Sequence, residues 1–183
     1  FTAPVGLTSN LLLTFRLTVN DGTENSAPDT VDVTVLAPPG PGGTNIAPTA
    51  TVAASTERAG SGQTALKAVD GFVDGYPGDS TREWSTQVER TGAWIELTWD
   101  TPQTIDRILL YDRINLFDRI TGCTLSFSDG SSIVVGALDN AGAGDEVLFA
   151  PKTVTSVRMT VDATSGSTWS VGLAEIEVFN VVE

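Results

Sequence analysis

Hydrophobic and polar residues alternate along most of the chain, and the period of two breaks only at clusters of glycine, proline, aspartate or asparagine. In "LLLTFRLTVNDG" the apolar positions Leu13, Phe15, Leu17 and Val19 share one face, and Asn20-Asp21-Gly22 supplies a turn. "DTVDVTVLA" repeats the pattern at Val31, Val33 and Val35, so the two runs predict a pair of antiparallel strands. A lone hairpin is marginal in water, and this piece reads as a spacer. "PPGPGGTNIAP", Pro38 to Pro48, disfavours helix and interior strand alike and predicts a linker. From Thr49 onward, "TATVAAS", "EWSTQ", "AWIELTW", "TIDRILLYD", "CTLSFS", "SIVVGAL", "EVLFA", "VTSVRMTVD" and "LAEIEVF" each predict a short strand between turns. Such spacing predicts an all-β sandwich or jelly roll. Only "TALKAV" has helical character, enough for a turn or two, and there is no internal repeat. The expected organisation is a partial β domain over 1–37, a linker over 38–48 and a β domain over 49–183.

Composition narrows the function. The chain has 183 residues, 40% apolar, and a net charge of −13 from 10 basic and 23 acidic residues. A core of useful size is available, and the acidic surface repels nucleic acid and anionic membranes, so neither is an expected partner. No run is apolar enough for membrane insertion, and there is no signal peptide or initiating Met, so Phe1 is expected to begin a fragment of a longer protein. The single Cys123 excludes an intrachain disulfide, and its alternation with Leu125 and Phe127 predicts a core position. Two lysines and no histidine fit a secreted or cell-surface bacterial protein. Without histidine there is no Ser-His-Asp or Cys-His system, and no glycine-rich phosphate loop follows a strand. Proximity of two carboxylates among so many is no sign of glycoside hydrolysis. The chain is expected not to be an enzyme.

"KAVDGFVDGYPGDS" gathers Asp70, Asp74 and Asp79 into one Gly- and Pro-rich stretch. The residue types suit a calcium site, a sugar-binding loop or plain turns, but the spacing is not that of an EF-hand. Three segments, "ALKAVDGFVDGYPGDSTREWST", "GAWIELTWDTPQTIDRILLYDR" and "VGLAEIEVFN", occur in an order that resembles discoidin-like, coagulation-factor C-type, galactose-binding-like domains, among them carbohydrate-binding module family 32. That resemblance covers roughly residues 45–180 and implies an eight-stranded β-sandwich jelly roll. The first piece resembles the last strands of bacterial immunoglobulin-like, PKD or cadherin-like repeats. For the second, the resemblance implies a structural Ca2+ held by Asp70 and Glu175, with carbonyls near Lys67 and at Ala174. The stretch between Asp70 and Trp84 is longer than the family's usual spacing, so Asp74 and Asp79 are further candidate ligands.

Family members bind sugars at loops on one end of the sandwich, where an aromatic face and forked polar groups are needed. "YDRINLFDRITG" offers Arg113 and Asn115 as hydroxyl readers and Phe117 as a stacking platform. "SGSTWSVG" places Trp169 before the last strand, and Tyr76 between Gly75 and Pro77 is a third platform. The competing reading makes Asp112, Arg113, Asp118 and Arg119 salt bridges that staple the loop, with Trp84, Trp94 and Trp99 in or near the core. The expected function is a calcium-stabilised, non-catalytic carbohydrate-binding module targeting a secreted multidomain enzyme to polysaccharide. The alternative is an adhesion or protein-interaction module of a cell-surface protein.

Overall fold

The computed structural model describes residues 11–35 and 43–181. Residues 1–10 and 36–37 of the expected first domain, and 38–42 of the expected linker, lie outside the described residues. The chain divides into two compact units, 1–41 and 42–183.

In the first unit, β1 (Leu11–Leu17) and β2 (Asp29–Val35) pair antiparallel, with Leu13 opposite Val33 and Phe15 opposite Val31. The alternation therefore puts the apolar side chains of both strands on one face. Asn20 and Asp21 accept from the N–H groups of Gly22, Thr23 and Glu24, which closes the turn. Gly22 has φ +98°, a left-handed conformation that an L side chain adopts only with strain.

The second unit is all-β. Its strands are β3 (Thr51–Ala54), β4 (Trp84–Ser85), β5 (Trp94–Asp112), β6 (Ile120–Phe127), β7 (Ser132–Val135), β8 (Asp145–Thr164) and β9 (Gly172–Asn180). The 19-residue β5 and 20-residue β8 each merge two segments that the alternation predicted as separate strands. Their register shifts between Thr98 and Gln103 and again between Ile105 and Arg107. Pro102 and Pro151 sit at these irregularities, where a missing N–H does least harm and where strands bend. The first part of β5 pairs with β3 and with the end of β8, which also carries β6, and β6 in turn carries β7. The second part of β5 pairs with the start of β8 and with β9, which carries β4. Bent at the middle, β5 and β8 thus belong to both layers of a β-sandwich.

Between the layers lie Ile95, Leu97, Ile105, Ile108, Leu110, Leu125, Val157, Met159, Val161 and Ile176, all buried. Cys123 is buried with them, and desolvation pushes its thiol up to about 12, so it packs as a small apolar group. Trp84 and Trp99 are buried and donate their indole N–H to the carbonyls of Thr56 and Ile46. "TALKAV" forms a 3-10 helix over Ala65–Val69 that packs its Ala65, Ala68 and Val69 inward against β9. Residues 43–48 differ from a free linker. Thr44 donates to Asn180 Oδ1 and Ile46 to Val178 O, and Ile46 and Ala47 are buried, so this segment is built onto β9. Among the described residues no helix is long and apolar enough to cross a membrane.

Candidate functional site

At one end of the sandwich, β5 hands over to β6 through loop 113–119, and β8 to β9 through loop 165–171. Asp112 closes the first loop at its base. It is buried and accepts from the N–H of Arg113 (2.9 Å), the N–H of Ile120 (3.1 Å) and Nδ2 of Asn140 (3.0 Å). Burial pushes its carboxyl up to about 7, against the pull of those donors. At the tip, Asn115 Oδ1 accepts from Phe117 N and its carbonyl from Asp118 N, an Asx-type turn that throws Leu116 and Phe117 outward.

The second loop is bound to the first. Asp118 Oδ1 accepts from Trp169 N at 2.8 Å and Ser170 N at 3.3 Å, while Ser167 Oγ donates to Phe117 O. Asp118 Oδ2 holds Asn115 Nδ2 at 3.2 Å. Two large aromatic side chains on tethered loops are left outside the core, Phe117 73% exposed and Trp169 71% exposed. Among the described residues no acceptor takes the Trp169 indole N–H, unlike those of Trp84 and Trp99.

Arg113 lies beneath this rim, 6% exposed. Its Nε donates to Glu83 Oε1 at 2.8 Å, and its Nη1 to Ser85 Oγ and Ser170 O, with Asp118 Oδ2 at 4.0 Å. Glu83 is wholly buried and also accepts from Gln63 Nε2 and Tyr76 N. The arginine is therefore a strut joining three loops, and Asn115 is half-buried and committed to its own turn. Two glycines make this room. A Cβ at Gly75 would meet Glu83 Oε2 at 2.5 Å, and one at Gly172 would collide with the Trp84 carbonyl and press on Arg113 Cδ. Tyr76 is tied to the strut through its backbone, and its side chain is exposed.

The aspartate loop divides into two groups. Asp70–Gly71 lies against β9, where Gly71 N donates to Glu175 Oε1 at 3.1 Å. Asp70 pairs with Lys67 at 3.2 Å and accepts from Phe72 N. Asp74 and Asp79 instead face Arg82, at 3.0 and 3.6 Å, and Asp79 also caps the short 3-10 turn Ser80–Arg82 through Thr81. Among the described residues no three acidic or sulfur side chains converge as a metal cage. The test of a calcium fit thus falls on Glu175. It is fully buried, and its Oε2 has no hydrogen-bond partner. Burial, with Asp70 and Glu177 adding to it, pushes the carboxyl up to about 8. A buried, orphaned carboxylate oxygen beside a second carboxylate suits a hard, oxygen-seeking cation. Asp70 pairs with Lys67 much as Asp74 and Asp79 pair with Arg82, and what sets it apart is its place beside Glu175, so Asp70 and Glu175 are the carboxylates that fit Ca2+.

Sequence reasoning did not find Glu83, Asp118's clamp on Trp169, Asn140 or Arg58. Arg58 is half-buried in the turn "TERAG" and donates from Nη2 to Ser170 Oγ at 3.0 Å. A glutamate before a buried tryptophan and an arginine in a glycine-rich turn carry no local signal of a contact so far away in the chain.

This β-sandwich fold is shared with solved carbohydrate-binding modules. The chain is similar to the lectin-binding domain of Lectinolysin, in a histidine mutant complexed with Lewis b, at 25% identity and TM-score 0.61, covering 76% of this chain and 97% of that one. It is also similar to the family 32 module of Clostridium perfringens NanJ in complex with galactose, at 17% identity and TM-score 0.56, with 75% and 98% covered. A chitosan-binding module from a chitosanase/glucanase of Paenibacillus sp. IK-5 matches at 23% identity and TM-score 0.57, with 75% and 99% covered. No curated protein matches the chain. A family model described as "Domain of unknown function (DUF7402)" matches residues 45–179, and the chain belongs to that family.

Proposed function

We propose that the second unit is a non-catalytic carbohydrate-binding module whose glycan face is the rim of loops 113–119 and 165–171. The observation that carries this reading is the exposure of Phe117 and Trp169 on two loops that Asp118 and Ser167 fasten together. Large aromatic side chains held outside the core on rigid loops supply flat apolar area at little entropic cost. The apolar face of a sugar ring covers such area, and the free indole N–H of Trp169 offers a donor to a ring hydroxyl. Relatives of the same fold were solved with Lewis b and with galactose, which supports the ligand class. Tyr76, exposed on the loop whose backbone N–H reaches Glu83, is a further candidate platform in this reading. As part of a secreted or surface protein, such a module would hold its parent on polysaccharide, with weak single contacts reinforced by repetition along the polymer.

In the same reading a structural Ca2+ is held by Asp70 and Glu175 with carbonyls near Lys67 and at Ala174. When bound, the ion neutralises two adjacent carboxylates and ties the aspartate loop to β9. A glycan array with the intact chain, with and without chelator, tests the function. Binding that survives chelator but is lost in Trp169→Ala places the glycan on the rim and leaves the metal a structural role. A silent array across neutral and charged glycans contradicts the proposal.

A further inference from the structure

We propose that Arg58 is a specificity-determining residue that selects glycans bearing a carboxylate, an inference that rests on the rim being the glycan face. Arg58 is pinned by its backbone. Its N–H donates to Ser85 O at 2.9 Å, and its carbonyl accepts from Ser61 N and Gln63 N. Its side chain reaches Ser170 Oγ, so the guanidinium is anchored at the residue next to the exposed Trp169. It shares Ser170 and Ser85 with the Arg113 strut, which brings two guanidinium groups to one side of the rim.

The two arginines differ in their counter-charges. Arg113 has Glu83 at 2.8 Å and Asp118 at 4.0 Å. Among the described residues Arg58 forms no ion pair within 4.0 Å, although the chain holds 23 acidic residues against 10 basic ones. Glu57, Glu83 and Glu89, on the segments around it in the chain, have other partners. Glu57 accepts from Ala65 N, Glu89 from the hydroxyls of Ser55 and Thr56, and Glu83 from Arg113, Gln63 and Tyr76. Arg82, Arg107 and Arg158 each have a carboxylate partner. Arg16 and Arg90 are exposed to water, and Arg119 closes its fork on Leu138 O. Arg58 is thus half-desolvated, hydrogen-bonded to a neutral hydroxyl, and its buried Nε has no acceptor among the described residues.

A cation in that state gains from an anionic acceptor more than a solvated one does, because part of its desolvation is already incurred. The planar guanidinium fork matches a carboxylate with two parallel N–H···O bonds, where a sugar hydroxyl accepts only one. The chain's net −13 opposes an acidic polymer at long range. That repulsion is screened beyond about 8 Å at physiological ionic strength, so the contact pair decides the preference. The ligand chemistry is a sugar carboxylate, supplied by a uronic acid or by a sialic acid.

The experiment compares ligand pairs that differ only in the charged group, by calorimetry on the intact chain. Tetragalacturonic acid is set against its methyl ester, and sialyllactose against lactose. The wild type is expected to prefer the acid of one pair by about tenfold, the scale of one charge-assisted hydrogen bond. Arg58→Gln is expected to reduce that preference to within about twofold, with the acid losing more affinity than the neutral member. Its melting temperature should stay at the wild-type value, since one hydrogen bond at the edge of the fold is altered. Trp169→Ala should weaken both members of the pair. Equal binding of acid and neutral forms by the wild type, or a preference that survives Arg58→Gln, overturns the assignment of Arg58 alone. A sulfated galactan preferred over every carboxylated probe overturns it too. No binding to any member of either pair overturns the glycan reading itself, and this inference with it.

Discussion

Glu83→Gln removes one charge from the pair beneath the rim and leaves the rest of the fold in place. Glu83 is 0% exposed and receives three donors, from Arg113, Gln63 and Tyr76. The amide keeps one acceptor oxygen, and its NH2 group then faces a donor whichever way it is turned. Arg113 would retain only Asp118, at 4.0 Å, as a carboxylate neighbour. Breaking a buried pair from one side typically costs about 3–5 kcal/mol, because the remaining charge is stranded away from water. At about 2–4 °C per kcal/mol for a domain of this size, the melting temperature should fall by roughly 6–20 °C. Urea unfolding followed by tryptophan fluorescence reads the change, since Trp84 is buried beside Glu83. The double variant Glu83→Leu/Arg113→Met should recover much of the loss, because an apolar pair of similar volume strands no charge. A coupling of at least about 1.5 kcal/mol between the two sites is expected. A Glu83→Gln loss below about 1 kcal/mol, or strictly additive losses, refutes the strut.

The other expectations are read from separate groups. Calcium at 100 times its Kd should stabilise the wild type by about 2.7 kcal/mol. Calorimetric melting should show that gain vanish in Glu175→Gln and persist in Asp74→Asn and Asp79→Asn, whose carboxylates face Arg82 in the wild type. Folded Asp112 holds its proton up to about 7, against a usual value of 3.8. A raised carboxyl favours the folded state fully below pH ~4 and loses that contribution as pH rises through 7, by about 2–4 kcal/mol. Urea titrations of wild type and Asp112→Asn across that range should therefore diverge, with the variant flatter. Asp118→Ala frees Trp169 N and Ser170 N. It should weaken glycan binding about three- to tenfold by loosening the platform, at a small cost in melting temperature.

Much of the fold could be read from alternation alone. The inward positions of β5, β6 and β9, the buried Cys123 and the short helical "TALKAV" all follow from local periodicity and propensity. The continuity of β5 through Pro102 and of β8 through Pro151 does not, because a bend and a turn interrupt the period of two in the same way. The docking of residues 43–48 on β9 was likewise hidden, since Gly and Pro describe what a segment cannot form and not what it touches. In the candidate site, Trp169 stood out as an aromatic outside any alternation and Phe117 as a loop platform, and they are the most exposed aromatics among the described residues. Arg113 matched the chemistry of an exposed reader, but its burial depends on Glu83, thirty positions earlier in the chain. Aspartates in a turn look alike in sequence. Only the packing separates Asp70, beside Glu175, from Asp74 and Asp79, which neighbour Arg82.

The aromatic rim is proposed to bind sugar. Calorimetry of the best array ligand against wild type, Trp169→Ala and Phe117→Ala tests it, with melting temperatures as the check on folding. Both side chains are exposed, so each variant should fold as the wild type does while affinity falls at least tenfold, the order of ~1.4 kcal/mol for one lost stacking platform. Undiminished affinity in both variants would contradict the account.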